Sequence, residues 1–475
     1  MSAGADEITG WSLADAARAV SARNVSSREL VSACLARIER WQPRIHSFLE
    51  VCGEKALEAA DRADAALASG RATGGLHGVP LAHKDMFYRA GRVSTMGSNA
   101  APPAATTTST LLERLDRAGA IELGALNMSE FALGPTGHNT SKGHCRNPWN
   151  PAHVACGSSS GGGSTVAARL AFGSLGSDTG GSVRLPASVT GVLGLKPTYG
   201  LLSGYGMMPL SHSADTPGVF ARTTLDLALL LKAIAGHDAH DSRTSRRTPP
   251  NYPAALSADV RGLRIGIPQG YFVEHVSDDV ARAVNASLKV FVSLGAQVVP
   301  VSMPDCEHLT ELSRVLVYSE ATAIHAANLR ARSADYSPQV RVRAATGLGI
   351  PAPVYAQALA LRPSLVERFV RSVFAQCDVL HLPTLGIPAP TIEETDVGGT
   401  AVMWEKIAVM VRCTAPFNYL GLPALAVPCG FTDNGLPTSF QLAGRPFAEA
   451  TLLRVAHAYE QATDWHLRAP ELPAG

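Results

Sequence analysis

Segments of strand and helix character alternate on both sides of a long glycine- and serine-rich stretch, and that alternation restricts the fold more than any other feature. Val79 to His83 is a strand-like run, Thr110 to Ala118 carries a helical period closed by Gly119, and Ile121 with Leu123 begins another short strand. The order repeats at Leu263–Ile267, Asp278–Leu294 and Gln297–Val301, with helical segments to Ala375, strands at Val379–Leu382 and Leu422–Pro428, and a closing helix at Thr451–Ala462. Such an order predicts an α/β sheet covered on both faces by helices. The first seventy residues read as helical: Leu13 to Ala22, a second helix behind a Ser26–Glu29 capping box, and a third from Glu54 to Ser69 ended by a left-handed Gly70. No linker of distinct composition divides the chain, and 46% hydrophobic residues suffice for one large core.

From Gly124 to Gly206 the regular periods fade and Gly, Ser, Asn and Thr dominate. A stretch this long without period is either functional or disordered, and its interspersed Val, Leu, Phe and Trp favour function. It is expected to form loops wrapped around a site. His237 to Pro253 is polar and reads as an exposed excursion. The 41 basic and 40 acidic residues are evenly mixed, giving a net charge of +1, which argues against nucleic acid or an anionic membrane as partner. Eight scattered cysteines without a CxxC pair read as reduced, mostly buried thiols rather than a disulfide framework or zinc site. MSAGADEITG lacks the features of a signal peptide, and the apolar run Leu225–Ala235 is too short to span a membrane, so a cytoplasmic protein is expected.

Three segments carry chemistry: Gly78-Val79-Pro80-Leu81-Ala82-His83-Lys84-Asp85, Cys156-Gly157-Ser158-Ser159-Ser160-Gly161-Gly162-Gly163-Ser164, and Gly176-Ser177-Asp178-Thr179-Gly180-Gly181-Ser182-Val183-Arg184-Leu185-Pro186-Ala187. A serine hydroxyl attacks only when a base takes its proton. Glycines ahead of it turn the backbone so that N–H groups can hold an oxyanion. Lysine serves as the base only when neutral, which burial favours. Lys84 closes a strand-like run, where burial is expected, and is one of only seven lysines. Each segment alone has a plainer reading: a flexible Gly/Ser loop, or a strand-end lysine on the surface. Gly157-Ser158-Ser159-Ser160-Gly161 also matches the G-x-S-x-G elbow of α/β-hydrolases, with Ser159 as nucleophile, but the strand that should precede it is weak and holds Pro151. That rival also needs a histidine, and His325, His381, His457 and His466 lie in no recognisable context.

Taken together, the segments resemble the amidase signature family. Its hallmark G-S-D-T-G-G-S-[IV]-R-x-P-A matches Gly176–Ala187, its two serines are matched by Ser158 and Ser182, 24 residues apart, and its lysine segment by Gly78–Asp85. Further similarity covers Ser94–Ser98, Glu122–Phe131, Asn147-Pro148-Trp149, Gly194–Gly200 and Gly421–Gly430. The resemblance implies one domain over 1–475 with a twisted mixed β-sheet covered by helices on both faces: a helical segment (1–70), a signature core (75–225) and the remaining sheet with pocket helices (226–475). It further implies Ser182 as the acyl-forming nucleophile, Ser158 as proton relay with a cis bond to Gly157, and Lys84 as base. The backbone N–H groups of Thr179, Gly180, Gly181 and Ser182 would form the oxyanion hole, with no metal or cofactor.

Cys156 stands where the family usually has glycine, as does Ser160; neither change touches the three reactive side chains. Cys156 reads as a buried thiol, His83 as packing, and Asp178 with Arg184 as a structural pair; His138 and His144 either line the pocket or sit on a solvated loop. Specificity is expected from the loops 126–140 and 199–216 and from region 303–360. Their Met128, Phe131, Met207, Met208, Leu316, Tyr318 and Tyr355 suggest an apolar pocket, with Met128 and Phe131 as substrate contacts. The expected substrate is a small-molecule aryl or alkyl amide, with ester or carbamate cleavage open, and a homodimer is open as well. The alternative is a glutaminase like the A subunit of glutamyl-tRNA(Gln) amidotransferase. The acidic residue that reads glutamine there aligns near Val411, and Val411-Arg412-Cys413 offers no carboxylate.

Overall fold

The computed structural model describes residues 5–71 and 74–471. Within them, the strands are β1 (Phe48–Val51), β2 (Pro80–Lys84), β3 (Ile121–Leu126), β4 (Gly173–Asp178), β5 (Leu193–Lys196), β6 (Thr216–Ala221), β7 (Arg264–Pro268), β8 (Gln297–Val301), β9 (Val379–Pro383), β10 (Ala424–Phe431) and β11 (Pro437–Ala443). All join one sheet in the order β1-β3-β2-β4-β6-β5-β10-β11-β9-β7-β8. β3, β2 and β4 run parallel, as do β9, β7 and β8, and the strands between them pair antiparallel. The sheet is mixed, in one α/β domain flanked by helices, as the resemblance implied.

Strand β10 shows how both faces are covered. Leu425, Val427 and Cys429 join the core shared with helices Asp278–Ser293 and Glu449–Gln461, whereas Ala426 packs with Val183 and Ala187 beside helix Arg184–Thr190. This period of two is that of a strand buried on both sides. At the N-terminal side the Ser26–Glu29 capping box opens helix Ser27–Ile45, and Gly70 sits at φ 71° beyond helix Gly53–Ala68. Residues 1–4, which hold part of the leader reading, lie outside the described residues.

One expectation is corrected. The stretch 124–206 is not a run of loops, because it contains helix Ser160–Ala167, β4, helix Arg184–Thr190 and β5. Its glycines serve close packing: a Cβ on Gly162 would fall 2.8 Å from the Phe220 ring, and one on Gly161 2.5 Å from Ser47 O. Segment 237–253 is mainly exposed, as expected, and is anchored where Asp238 accepts from Ser203 Oγ (2.5 Å) and Thr110 Oγ1 (2.7 Å) and where Tyr252 is buried.

Candidate active site

Three arms meet at the carboxyl ends of the parallel strands β2 and β4, where open α/β sheets place their sites. Lys84 is the last residue of β2, Ser158 lies two residues before helix Ser160–Ala167, and Ser182 lies on the turn between β4 and helix Arg184–Thr190. Lys84 Nζ donates to Ser158 Oγ at 2.8 Å and to Ser177 Oγ at 2.9 Å. The lysine is fully buried. Burial, opposed by the charges of Asp215 and Asp178, lowers its amine to about 7, so a neutral form is available near neutral pH. The Gly157–Ser158 peptide bond is cis. Ser158 O accepts from Ser129 N at 3.0 Å, and Gly157 N donates to Pro135 O at 2.7 Å, which fixes the serine loop against the 129–135 segment. Cys156 has a φ of 56°, the left-handed region in which glycine is unstrained, which explains why glycine is usual at that place. The thiol is buried and burial pushes it up, so it stays protonated.

The turn that carries Ser182 is built around Asp178 and Arg184. Arg184 Nε and Nη2 each lie 3.0 Å from the Asp178 carboxylate, and both side chains are buried. Burial raises the Asp178 carboxyl, but Arg184 overrides it and holds the group below the usual carboxylate range. Asp178 also accepts from the N–H groups of Gly181 (2.8 Å), Val183 (3.2 Å) and Arg184 (3.3 Å). The Gly181 N–H is therefore committed to Asp178, which corrects its expected place in the oxyanion hole. No acceptor for the N–H groups of Thr179, Gly180 or Ser182 is found among the described residues. Gly181 sits at φ 127°, where a Cβ would fall 2.4 Å from Thr414 Oγ1. Ser182 is 9% exposed, and its carbonyl accepts from Ser159 N at 3.2 Å, linking the two serine loops.

A cavity opens over Ser182, Thr179 and Gly180. Its walls are Leu133, Leu185, Leu210, Val317, Ile407 and Val411, with Tyr318 and Arg343 at one side. Met128 and Phe131 do not line it. Both are buried, Phe131 with its ring 4.6 Å from His325 and 5.0 Å from Tyr336, so the expectation of substrate contact gives way to core packing. Of the seven apolar residues singled out in the sequence, only Tyr318 reaches the cavity. Ile407 and Val411 come from helix Ala401–Val411, for which no strong period announced a pocket wall. His83 accepts from Leu175 N at 3.3 Å and is held neutral by burial, at about 4, as a packing residue. His138 is bonded to Thr395 Oγ1 at 2.6 Å, and neither it nor His144 lines this cavity. Ser159 is buried, its hydroxyl donating to Ser177 O (3.1 Å) and accepting from Ser177 N (3.2 Å), which leaves it closed to substrate. Among the described residues no group of three or more His, Cys, Asp or Glu side chains is arranged to hold a metal, and no helix is long and apolar enough to cross a membrane.

The Amidase family model matches residues 29–453. The chain belongs to the amidase family. The chain is 39% identical to the A subunit of the glutamyl-tRNA(Gln) amidotransferase of Chloroflexus aurantiacus, an alignment covering 98% of this chain and 99% of that protein. Among solved structures it resembles the peptide amidase of Stenotrophomonas maltophilia (31% identity, TM-score 0.85, 98% and 99% of the two chains). It also resembles a chain from a vestigial protein complex bearing on the origins of an s-triazine catabolic enzyme (32% identity, TM-score 0.88, 98% and 100% covered). Membership sets aside the α/β-hydrolase reading of Ser159, in agreement with the closed environment of that hydroxyl.

Proposed function

We propose that this amidase cleaves the C–N bond of a carboxamide through an acyl-enzyme on Ser182. The observation that carries the reading is the 2.8 Å contact between a buried, readily neutral Lys84 amine and Ser158 Oγ. Lys84 Nζ takes the Ser158 proton while Ser158 takes that of Ser182, and Ser182 Oγ bonds to the amide carbon. The N–H groups of Thr179, Gly180 and Ser182 face the oxygen that gains the charge. As the C–N bond breaks, the amine leaves with the proton returned from Lys84 through Ser158, and water then releases the acid by the same route in reverse. Among the described residues the Ser182 hydroxyl makes no hydrogen bond, so its link to Ser158 closes when substrate is bound, as catalytic contacts commonly do.

The walls favour an apolar acyl body. Arg343 adds one polar demand: it is 7% exposed, its Nε has no partner, and Nη2 meets only Tyr318 OH at 3.3 Å. Tyr318 OH is the one hydrogen-bond partner of its side chain among the described residues, so an anionic or strongly accepting group on the substrate fits there. A second reading is a glutaminase acting with partner chains, favoured by the 39% identity to proteins named as the A chain of glutamyl-tRNA(Gln) amidotransferases. Against it, no Asp or Glu lines the cavity to receive the ammonium of glutamine, and Val411 stands in the wall. The test is a panel of glutamine, dicarboxylic monoamides without an amino group, aliphatic amides and anilides, with mass-spectrometric capture of the acyl group. Acylation of Ser182 by monoamides or neutral amides but not glutamine supports the first reading. Turnover confined to glutamine selects the second, and acylation elsewhere removes both.

A further inference from the structure

A buried acid bonded to the turn before Ser182, which the proposed mechanism leaves unused, is Asp215, one residue before β6. Its Oδ2 accepts from Leu210 N (2.8 Å) and Ser211 N (3.0 Å), and its Oδ1 from Thr179 Oγ1 (2.7 Å). All three donors are neutral. Asp178, the other acid near the lysine, is matched by Arg184, whereas Arg243, which faces Asp215, is itself paired with Asp241. In register Lys84 of β2 stands beside Gly176 of β4, which faces Gly218 of β6, and Asp215 lies three residues further along, beside the turn after Asp178. Two strand spacings across and three residues along separate the two backbones by about 14 Å, a gap that the Lys84 side chain narrows by reaching Ser177 Oγ.

We infer that Asp215 is a positioning residue of this site, whose carboxylate holds Thr179 of the oxyanion turn and sets a buried negative charge, with no ion-pair partner among the described residues, on the same side of the sheet end as Lys84. The inference rests on the reading of Lys84 as base. The remaining charged groups around the lysine do not replace Asp215. His83 beside it is neutral, Asp85 turns away to Thr95 and Met96, and Lys196 on β5 faces Asp178 and Arg184. Burial raises the Asp215 carboxyl, against its hydrogen bonds and the charge of Arg243, and as a carboxylate it acts on the lysine against burial, as Asp178 does. One group thus serves two needs, a fixed Thr179 backbone and an amine that is not driven too far down.

The test is the pH profile of kcat/KM. Asp215→Asn keeps the size and a partner for the Thr179 hydroxyl but removes the charge, so the ammonium form of Lys84 loses its support. Its acid limb should move to lower pH by roughly 0.5–1 unit. Thr179→Val, which frees the turn and leaves the acid in place, should lower kcat with the limb unmoved. Asp215→Ser makes the same prediction as Asp215→Asn where the amide does not yield folded enzyme. An unshifted limb in these charge-removing variants, in an enzyme that Lys84→Ala still silences, overturns the inference alone. An active Lys84→Ala overturns the base assignment itself.

Discussion

Replacing Lys84 with Met should make the protein inactive and, near pH 6, more stable. The wild-type amine drops from an ordinary lysine value to about 7 because the folded chain buries it completely. Below pH 7 the charged amine is therefore penalised in the folded state by about 5 kcal/mol relative to the unfolded chain. Met fills similar space without charge, and the hydrogen bonds it removes at Ser158 and Ser177 cost about 1–3 kcal/mol. The net gain at pH 6 is about 2–4 kcal/mol. The sign with pH follows from proton counts. Between about 7 and 10.5 the unfolded wild type binds a proton that the folded one has released, so its stability climbs by about 1.4 kcal/mol per pH unit. The Met variant lacks that climb, and its advantage shrinks to within about 1 kcal/mol of zero by pH 9. Urea unfolding of both proteins at pH 6 and pH 9 reads the effect, with turnover measured alongside. A Met variant destabilised by the same amount at both pH values would refute a lysine buried for its neutral form.

Three other perturbations have defined outcomes. Arg184→Met strands the buried Asp178 carboxylate and should destabilise by about 3–5 kcal/mol, seen as a lowered melting temperature. Gly181→Ala puts a Cβ 2.4 Å from Thr414 Oγ1 at φ 127°, so the oxyanion turn must shift; kcat should fall at least about tenfold in an enzyme whose circular dichroism is unchanged. Arg343→Met should raise KM for anion-bearing amides by about 10–100-fold while neutral amides keep their kcat/KM.

The sequence exposed most of the architecture where apolar periodicity is strong, as in β2, β7 and helix Asp278–Ser293. It failed where tertiary packing overrides propensity. Helix Ser160–Ala167 holds three consecutive glycines, and β4 reads GSLGSD; neither forms by propensity, and both exist because side-chain-free backbone fits against Phe220, Asn127 and Ser159. Lys84, Ser158 and Ser182 could be proposed as the reactive set because their segments are distinctive. The pocket could not, since Ile407, Val411 and Arg343 are ordinary residues of helices brought over Ser182 only by the fold, while Met128 and Phe131, near it in sequence, turn into the core. Ser177, the second partner of Lys84, and Asp215 were legible only as parts of larger patterns.

The rate at which a fluorophosphonate labels Ser182, followed across pH 5 to 9 in wild type and Lys84→Ala, bears most directly on the proton path. With Lys84 neutral only above about 7, wild-type labelling should climb about tenfold per pH unit on the acid side and level off beyond it, and Lys84→Ala should label at least about a thousandfold more slowly. A flat wild-type profile, or equal labelling of the two proteins, would contradict the account.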